Sequence, residues 1–331
     1  MNVQKYKIFL LSVLVAACSS PKTGTGSMEY ARWFSILDST SVVVFSPSGG
    51  ADTLRGPVNS LVCMSSSYVG FLDAIGDIDV VKGVSGVKFS GLENLDAVEV
   101  GYDANLDYEA VLRAQPDYLV TYSVGSTEPP YMAKLKEIGV KTVQLNEHLE
   151  SHPLARAEYV KLFGALTGHL AAADSVFCAV RDRYLSLVQP DAKYKVLINI
   201  PYADTWYIPG GDSYMTRLVS DAGGRLLGAE PGRSSSSVIS IEKAYKYALE
   251  ADFWLNTGWC SSLSDLRQIH PVFKDISLPE AWNNTLRSTP GGGNMFWETG
   301  PVRPDLILED LVRILSGEVE KSPFNYYFKL E

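Results

Sequence analysis

Cysteine and histidine are scarce in this sequence, and their scarcity limits the chemistry that it can support. Four cysteines and four histidines occur among 331 residues. Cys18 ends an apolar N-terminal run, and the other three are Cys63, Cys178 and Cys260. If Cys18 is lipidated, as its sequence context predicts below, three cysteines remain, and an odd number cannot pair completely, so a full disulfide framework is excluded. We expect Cys178 to be a small buried apolar residue, and the sequence alone does not decide whether Cys63 pairs with Cys260.

The histidines give little support for a metal site. His148 and His152 stand four residues apart, a spacing that binds a metal when both residues lie on one helix. No third ligand lies near them in sequence, and Pro153 follows at once, so we interpret both as solvent-exposed residues. No resident metal and no cofactor is therefore predicted.

Motifs for catalysis are also missing. The sequence contains no G-x-S-x-G, H-E-x-x-H, C-x-x-C or P-loop motif. The serines at 234–237 are interpreted as a polar loop. A secreted enzyme with a carboxylate-based cleft stays a distant alternative, since no two acidic residues have a spacing that implies paired acid and base roles. The sequence therefore predicts a protein that is not an enzyme.

Basic residues are outnumbered by acidic ones. The chain has 29 lysines and arginines against 38 aspartates and glutamates, which gives a formal net charge of −9 at pH 7. Nothing in the sequence forms a basic stripe that would follow a phosphate backbone, so nucleic acid is excluded as a partner. The composition, 46% hydrophobic and 20% charged, is that of an ordinary globular protein.

The chain begins with a targeting segment rather than with part of the fold. Two lysines precede an apolar run, Ile8–Ala17, that is too short to span a membrane. The run ends in Val-Ala-Ala-Cys at 15–18, which resembles the bacterial lipobox, whose cysteine becomes lipidated. We predict a signal peptide at 1–17, lipidation of Cys18 and a flexible tether at 18–28. The protein would then be a membrane-anchored lipoprotein that faces the periplasm, and an ordinary secretory signal is the alternative.

One stretch has the pattern of a single long helix, which we assign to residues 151–190. Its apolar positions are spaced alternately four and three residues apart, and they are Tyr159, Phe163, Leu166, Leu170, Ala173, Phe177, Val180, Tyr184 and Leu187. The charged residues of the stretch mostly fall off this stripe, and Pro190 ends the run. Short β-rich segments alternate with helical ones on both sides. We therefore predict an α/β fold of two lobes, at 29–150 and 191–331, joined by this one uninterrupted helix.

The two predicted lobes contain one similar local unit. In each lobe a glutamate opens an amphipathic helix, predicted at 108–114 and from 240 to about 251. An aspartate, an aromatic residue and a strand follow the helix. The residues concerned are Glu109, Asp117 and Tyr118 in the first lobe and Glu242, Asp252 and Phe253 in the second. This weak internal echo suggests that the lobes are built alike.

Aromatic residues occur in predicted turns as well as in the core pattern. Several directly follow predicted strands, which is where open α/β sheets form their ligand crevice. These residues are Tyr102, Tyr122, Trp206, Tyr207, Trp259 and Trp297. Rigid rings beside a few polar groups suit a large, flat or apolar ligand, so we predict these six residues as the ligand-binding set.

The lipobox, the two α/β lobes and the connecting helix together resemble the substrate-binding proteins of bacterial ABC importers for metal chelates, namely ferric siderophores, haem and cobalamin. The resemblance covers essentially the whole chain after the signal peptide. Its specific segments are Gln-Pro-Asp-Tyr-Leu-Val at 115–120, Pro-Gly-Gly-Asp-Ser at 209–213 and Arg-Pro-Asp-Leu-Ile-Leu at 303–308. Their order and spacing carry the resemblance more than any single motif does.

The resemblance implies a function and further residue roles. Such a protein captures an iron chelate of siderophore or haem type between its lobes and delivers it to the membrane permease. One glutamate on each lobe pairs with arginines of the permease, and the matching residues are Glu109 and Glu242. Cobalamin is the alternative ligand. It ranks second because cobalamin binders of this group have a tryptophan shortly before the second-lobe glutamate, where this chain has the serines at 234–237. A helix that joins the lobes also implies only modest closure on the ligand.

Overall fold

The computed structural model describes residues 28–92, 95–123, 128–202, 205–320 and 322–331. The predicted signal peptide, Cys18 and all of the predicted tether except Met28 lie outside these residues. Within the described ranges, no helix is both long enough and apolar enough to cross a membrane. The described chain forms two α/β lobes, each built on a five-stranded sheet.

Short helices and short strands alternate along the chain. The helices, apart from single 3₁₀ turns, are α1 (Ser66–Ala74), α2 (Tyr108–Ala114), α3 (Pro130–Glu137), α4 (Pro153–Ala157), α5 (Tyr159–Thr167), α6 (Leu170–Leu187), α7 (Tyr214–Asp221), α8 (Ile241–Glu250), α9 (Leu263–Gln268), α10 (Met295–Glu298) and α11 (Pro304–Ser316). The strands are β1 (Phe34–Asp38), β2 (Ser41–Phe45), β3 (Ala51–Arg55), β4 (Leu61–Cys63), β5 (Val81–Val84), β6 (Val98–Glu99), β7 (Tyr118–Thr121), β8 (Thr142–Gln144), β9 (Tyr194–Ile198), β10 (Trp206–Ile208), β11 (Gly224–Leu226), β12 (Ser237–Ile239), β13 (Phe253–Leu255), β14 (Glu280–Asn283) and β15 (Phe328–Lys329).

The first lobe is organised around a parallel sheet with the strand order β6-β5-β4-β7-β8. Parallel neighbours need crossover connections, and α1, α2 and α3 supply those that enter β5, β7 and β8. Both faces of the sheet are covered: on β4, Leu61 and Cys63 pack into one apolar cluster and Val62 into another. The residues that follow the carboxyl ends of the strands therefore share one edge of the sheet.

The second lobe repeats this plan with a mixed sheet in the order β11-β9-β13-β14-β15. Its first four strands are parallel, and β15 joins the edge in the antiparallel direction. Helix α7 leads into β11, and α8 leads into β13. Two small antiparallel sheets complete the fold, one formed by β1, β2 and β3 and the other by β10 and β12.

The internal echo is confirmed at the level of hydrogen bonds. Asp117, just before β7, accepts backbone N–H bonds from Asn59 at 2.7 Å and Ser60 at 3.1 Å, at the entrance to β4. Asp252, just before β13, accepts the N–H of Lys195 in β9 at 2.8 Å. In both lobes an aspartate thus ties the start of one strand to its parallel neighbour.

The prediction of one uninterrupted helix at 151–190 is wrong, because α4, α5 and α6 occupy this stretch. Gly168 ends α5 with a φ of +83°, a left-handed conformation that glycine adopts without a steric penalty. Helix α6 then folds back against α5. The two helices approach so closely that a Cβ on Gly164 would lie 2.4 Å from the Cβ of Ala173.

The three helices form the junction between the lobes, and we call them the junction helices. Within α6 the predicted stripe is correct, since Ala173, Phe177, Val180 and Tyr184 are buried. Helix α6 packs mainly against two other elements. One is α5, which itself lies on α1 and β2 of the first lobe, and the other is α11 of the second lobe. One buried apolar cluster runs through both lobes and the junction.

Two buried carboxylates fasten the first described residues to the junction helices. Glu158, between α4 and α5, accepts the backbone N–H groups of residues 29–31 at 2.8 to 2.9 Å. Glu150 accepts those of Arg32 at 2.8 Å and Trp33 at 3.1 Å. Hydrogen bonds to a charged group contribute roughly 1.5–3 kcal/mol each. The segment 29–33 is therefore held at the junction, and we call this arrangement the N-terminal clamp.

The lobes also touch through a loop of glycines at 291–293. A Cβ on Gly293 would lie 1.8 Å from the carbonyl oxygen of Phe89, so only glycine permits this approach. Beside it, the Glu298 carboxylate accepts the N–H of Gly91 at 2.9 Å. The first lobe and the C-terminal part of the chain are thus in direct contact outside the junction helices.

Candidate ligand-binding site

Five of the six predicted aromatic residues are exposed. Tyr102 follows β6, Tyr122 follows β7 and Trp259 follows β13. The exposed fractions are 64% for Tyr102, 39% for Tyr122, 45% for Tyr207, 65% for Trp259 and 45% for Trp297. No other aromatic ring of the described ranges packs against Tyr102, Tyr207 or Trp259. These three rings are available to a ligand, although the structure does not bring them into contact with one another.

The assignment of Trp206 to the ligand-binding set is wrong. Its side chain is buried, its indole N–H donates to the carbonyl of Ile198 at 3.1 Å, and its ring lies 5.6 Å from that of Trp254. Successive side chains of a strand point to opposite faces, so Trp206 enters the core and Tyr207 faces outward. The side-chain amide of Asn199, just after β9, donates to the carbonyl of Tyr207 at 2.9 Å. This bond holds β10 at the carboxyl edge of the second sheet.

Tyr202 is a candidate that the sequence analysis missed. It lies four residues after the end of β9, and 81% of its surface is exposed, more than any predicted aromatic residue. The signal was present, because Tyr202 follows a predicted strand just as Tyr122 does. Tyr202 therefore joins Tyr207 and Trp259 among the exposed rings at the carboxyl edge of the second sheet.

A small hollow of about 20 Å³, room for about one water molecule, lies where the junction helices meet the second lobe. Its lining comes from α4, α7, α10 and α11 and is mainly apolar. The residues include Arg156, Tyr214, Met215, Leu218, Trp297 and Ile307. Of the predicted set, Trp297 alone lines this hollow.

Arg156 is the charged residue of the hollow. It is 8% exposed, and its guanidinium lies 4.3 Å from the ring centroid of Tyr214. Its nearest ion-pair partner is Glu147, with 3.7 Å between Nη2 and Oε1. The sequence pattern did not single out Arg156, which was one of the charges off the helical stripe.

A chain of contacts leads from Arg156 to Tyr122 of the first lobe. The imidazole of His148 lies 3.8 Å from the carboxylate of Glu147 and 6.3 Å, centroid to centroid, from the Tyr122 ring. Burial raises the pKa of Glu147, but His148 and Arg156 together outweigh burial and the net shift is downward. Glu147 is therefore ionised at neutral pH and balances the charge of Arg156.

The interpretation of His148 and His152 as solvent-exposed residues is also wrong. Both are half-buried, and they do not share a helix, because α4 begins only at Pro153. His152 caps α4 by accepting the N–H of Leu154 on Nδ1 at 3.0 Å. Burial lowers the pKa of His152 to about 4. Both histidines are thus part of the folded junction.

The described residues contain neither a metal site nor, among Cys63, Cys178 and Cys260, a reactive thiol whose pKa is lowered. No three His, Cys, Asp or Glu side chains come together there as a metal site would require. Cys63, Cys178 and Cys260 are all free thiols. Cys63 and Cys260 do not pair, and burial raises the pKa of each to about 12, which leaves both thiols protonated and unreactive.

Glu109 and Glu242 occupy equivalent exposed positions. Each is the second residue of its helix, α2 or α8, after a capping side chain, Asp107 or Ser240, that accepts a backbone N–H. Hydrogen bonding with Ser240 lowers the pKa of Glu242, which keeps its carboxyl group ionised. Helix α2 begins at the carboxyl edge of its sheet, the edge that carries Tyr102 and Tyr122.

Comparison with known sequences identifies a family and a relative. Residues 61–274 match the model of a family described as periplasmic binding protein. An uncharacterised lipoprotein of Methanocaldococcus jannaschii is 25% identical over 292 residues, which cover 82% of this chain and 68% of that protein.

Comparison with solved structures gives the same fold. A periplasmic haem-binding protein from Pseudomonas aeruginosa is 18% identical with a TM-score of 0.63, and the alignment covers 83% of this chain and 98% of that one. A periplasmic vitamin B12 binding protein of Vibrio cholerae is 13% identical with a TM-score of 0.57, over 80% and 99% of the two chains. Since the family model matches more than half of the sequence, this chain belongs to the periplasmic binding protein family.

Proposed function

We propose that this protein captures an iron chelate of siderophore or haem type between its two lobes and delivers it to the permease of an ABC importer. The observation that carries the proposal is the set of exposed aromatic rings at the carboxyl edges of both sheets. Large rigid rings without an aromatic neighbour offer apolar faces to a flat ligand at little cost in side-chain entropy. Open α/β sheets bind their ligands at this edge.

The structural relatives support a metal chelate as the ligand class. By their names, the Pseudomonas aeruginosa protein binds haem and the Vibrio cholerae protein binds vitamin B12. Both ligands are large metal chelates with broad apolar faces. Tyr102, Tyr202, Tyr207 and Trp259 present rings that match such faces.

Cobalamin is the second candidate ligand, and the likeness to the vitamin B12 binding protein favours it. The serines at 234–236 are exposed and offer no ring to a corrin at that point of the chain. We therefore place haem or a ferric siderophore first and let the binding experiment decide.

Calorimetric titration with haemin, ferrioxamine B and cyanocobalamin tests the proposal. We expect one of the two iron chelates to bind saturably with 1:1 stoichiometry. Replacing Tyr207 or Trp259 by Ala should weaken that binding about tenfold or more, because burying an aromatic side chain contributes roughly 1.5–3 kcal/mol. Leu249→Ala is the control, since Leu249 is equally exposed but lies near the end of α8 that enters β13.

Three outcomes bear on the proposal. If only cyanocobalamin binds, the ligand is the alternative one. If none of the three chelates binds, the metal-chelate proposal fails. If Tyr207→Ala and Trp259→Ala both bind as the unmodified protein does, the exposed rings are not the ligand contacts.

We also propose a lipid on Cys18 and permease contacts through Glu109 and Glu242. The lipid anchor is supported by the lipobox-like sequence and by the similarity to a lipoprotein. The two glutamates are supported as docking residues by their exposure and by their equivalent places on the two lobes. The protein would then act at the membrane surface, facing the periplasm.

A further inference from the structure

We propose that a row of asparagines at the carboxyl edge of the second sheet positions two exposed aromatic rings for the ligand. The row consists of Asn199, Asn256 and Asn283, and we call it the asparagine row. Its first member holds the strand of Tyr207, and its last member holds the turn of Trp259. This inference rests on the proposed function, because it names the residues that hold the ligand contacts in place before the chelate arrives.

The asparagine row follows from the register of three parallel strands. Ile198 of β9 and Trp282 of β14 both pair with Leu255 of the central strand β13. The next residue along each strand is an asparagine, namely Asn199, Asn256 and Asn283. Neighbouring parallel strands keep equivalent residues level with one another. The three asparagines therefore stand side by side at the edge where open α/β sheets bind their ligands.

Asn199 ties β10, the strand that carries Tyr207, to the edge of the sheet. Its side-chain amide donates to the carbonyl of Tyr207 at 2.9 Å. Its own backbone is fixed twice, because its N–H donates to the carbonyl of Leu255 at 3.0 Å and its carbonyl accepts the indole N–H of Trp254 at 2.7 Å. Its φ of +68° is left-handed, a conformation that asparagine tolerates better than most residues. The amide is thus held at a defined point, from which it fixes the backbone of Tyr207.

Asn283 fixes the tight turn that carries Trp259. The turn is closed by the N–H of Cys260, which donates to the carbonyl of Thr257 at 3.1 Å. The amide of Asn283 donates to the two carbonyls that flank the ring residue along the chain, those of Gly258 at 2.8 Å and Cys260 at 2.9 Å. Asn283 is fully buried, so the low local dielectric strengthens both bonds. An exposed ring is therefore carried on a turn that a buried side chain holds from both sides.

Asn256, in the middle of the row, has a different partner. Its side-chain oxygen accepts the hydroxyl of Tyr327 at 2.8 Å, so it binds the C-terminal tail rather than a loop with an exposed ring. The two outer asparagines are the members that reach Tyr207 and Trp259. A ring whose backbone is ordered in advance loses less conformational entropy when the ligand binds, and such preorganisation raises affinity.

A double-mutant cycle tests whether Asn199 acts through Tyr207. The titrated chelate is haemin, or ferrioxamine B or cyanocobalamin if that compound binds instead. Asn199→Gly removes the amide and keeps the left-handed conformation without strain. We expect it to weaken binding about three- to tenfold, because the ligand must then order the strand that the amide held. In Tyr207→Ala, the same substitution should change the affinity less than about twofold, since no ring remains to be positioned.

The same cycle with Asn283→Ala and Trp259→Ala tests the other end of the row. Removing the buried amide leaves two carbonyls unpaired and lowers stability, so thermal unfolding of each ligand-free variant is measured as well. Asn146→Ala is the control, because Asn146 is a buried asparagine of the first lobe whose amide donates to the carbonyl of Phe45 at 3.1 Å. It should melt at a lower temperature but bind the chelate as the unmodified protein does. If Asn283→Ala does not fold, the Asn199 cycle decides alone.

The possible results separate this inference from the proposed function. A loss of affinity that disappears when the corresponding ring is absent supports the asparagine row. If Asn199→Gly binds as the unmodified protein does, or weakens binding equally with and without the Tyr207 ring, the positioning role is overturned and chelate capture stands. An equal loss in Asn146→Ala would make the effect one of general stability and would also overturn it. If none of the three chelates binds, the proposed function fails and this inference falls with it.

Discussion

At the scale of the residue, four charged side chains are buried where the lobes meet. Glu147, Glu150, Arg156 and Glu158 are each at most 8% exposed, and all lie in or next to the junction helices. Taking such groups out of water is unfavourable unless hydrogen bonds or opposite charges compensate. The backbone N–H groups of the N-terminal clamp compensate Glu158. Glu150 and Arg156 are compensated only in part, because Oε2 of Glu150 and Nε of Arg156 are buried without a hydrogen-bond partner among the described residues. No pattern in the sequence marked these residues, because their burial depends on segments that are distant in the chain.

His152 should make stability depend on pH. Its pKa is about 4 in the folded protein, against an ordinary value of 6.5, because burial and the charge of Arg217 disfavour the imidazolium. The folded state therefore holds it neutral. This contribution to stability is complete above pH 6.5 and is lost as the pH falls from about 6.5 to about 4. In His152→Asn, an amide oxygen can still cap Leu154 but gains no proton.

Thermal unfolding of both proteins between pH 4 and pH 8 measures this effect. We expect the unmodified protein to lose stability relative to His152→Asn across the acidic window, and the difference to be constant above it. A difference that stays constant down to the acidic end would show that His152 does not titrate as its burial requires.

At the scale of the element, periodicity predicted most of the parts but not how they connect. Helix α2 occupies the predicted residues 108–114, and the unit that contains it recurs in the second lobe. The break at Gly168 was missed because the alternate spacing of apolar residues continues across it, from Leu166 to Leu170. A spacing of three and four residues predicts which residues are buried, but it does not show that one continuous helix presents them to the same neighbouring element. Here α5 and α6 bury their residues partly against each other.

The contact between α5 and α6 can be tested by exchanging two small residues. Gly164→Ala should destabilise the protein by about 1–3 kcal/mol, because its new Cβ overlaps Ala173. Adding Ala173→Gly should relieve the overlap, so that the double variant is more stable than the sum of the single changes predicts. Chemical denaturation of the four proteins gives the coupling.

The size of the coupling distinguishes the two arrangements of this stretch. In one continuous helix, positions 164 and 173 would lie about 13.5 Å apart. The effects of the two substitutions on the free energy of unfolding would then add to within about 0.5 kcal/mol. Additive effects would therefore contradict the reversal at Gly168, and a coupling of about 1 kcal/mol or more would support it.

At the scale of the whole molecule, two lobes share one core and touch at a second place through the glycine loop at 291–293. Membership of the periplasmic binding protein family makes the molecule a binding protein rather than an enzyme, as the missing catalytic motifs predicted. A continuous core and a second contact both resist large hinge motions, and modest closure on the ligand stays a prediction. The ligand class depended on the resemblance of the whole chain, since no single residue specifies it.

Docking should depend on both lobes at once. In Glu109→Ala/Glu242→Ala, ligand affinity should be nearly unchanged, whereas ligand-dependent growth should collapse. Two charge-assisted contacts with the permease would be lost, each roughly 1.5–3 kcal/mol. Single changes should give intermediate growth. Glu250→Ala, an exposed glutamate at the opposite end of α8, is the control and should grow normally.

Calorimetry of the purified double variant and growth of cells that carry it together decide the role of these glutamates. Lost ligand binding would place them in the ligand site rather than at a docking surface. Normal growth with intact binding would remove them from docking.

If the proposed lipid on Cys18 were in a membrane, the N-terminal clamp would determine how far the molecule could move. The predicted tether at 18–28 would reach at most about 40 Å if fully extended. Because the clamp fixes residues 29–33 at the junction, the tether would be attached between the lobes. Both lobes could then rotate about this attachment point. Confinement of this kind replaces free diffusion by an effective local concentration, which is in the millimolar range for short flexible links. A permease in the same membrane would therefore meet the binding protein often even if each docking contact were weak.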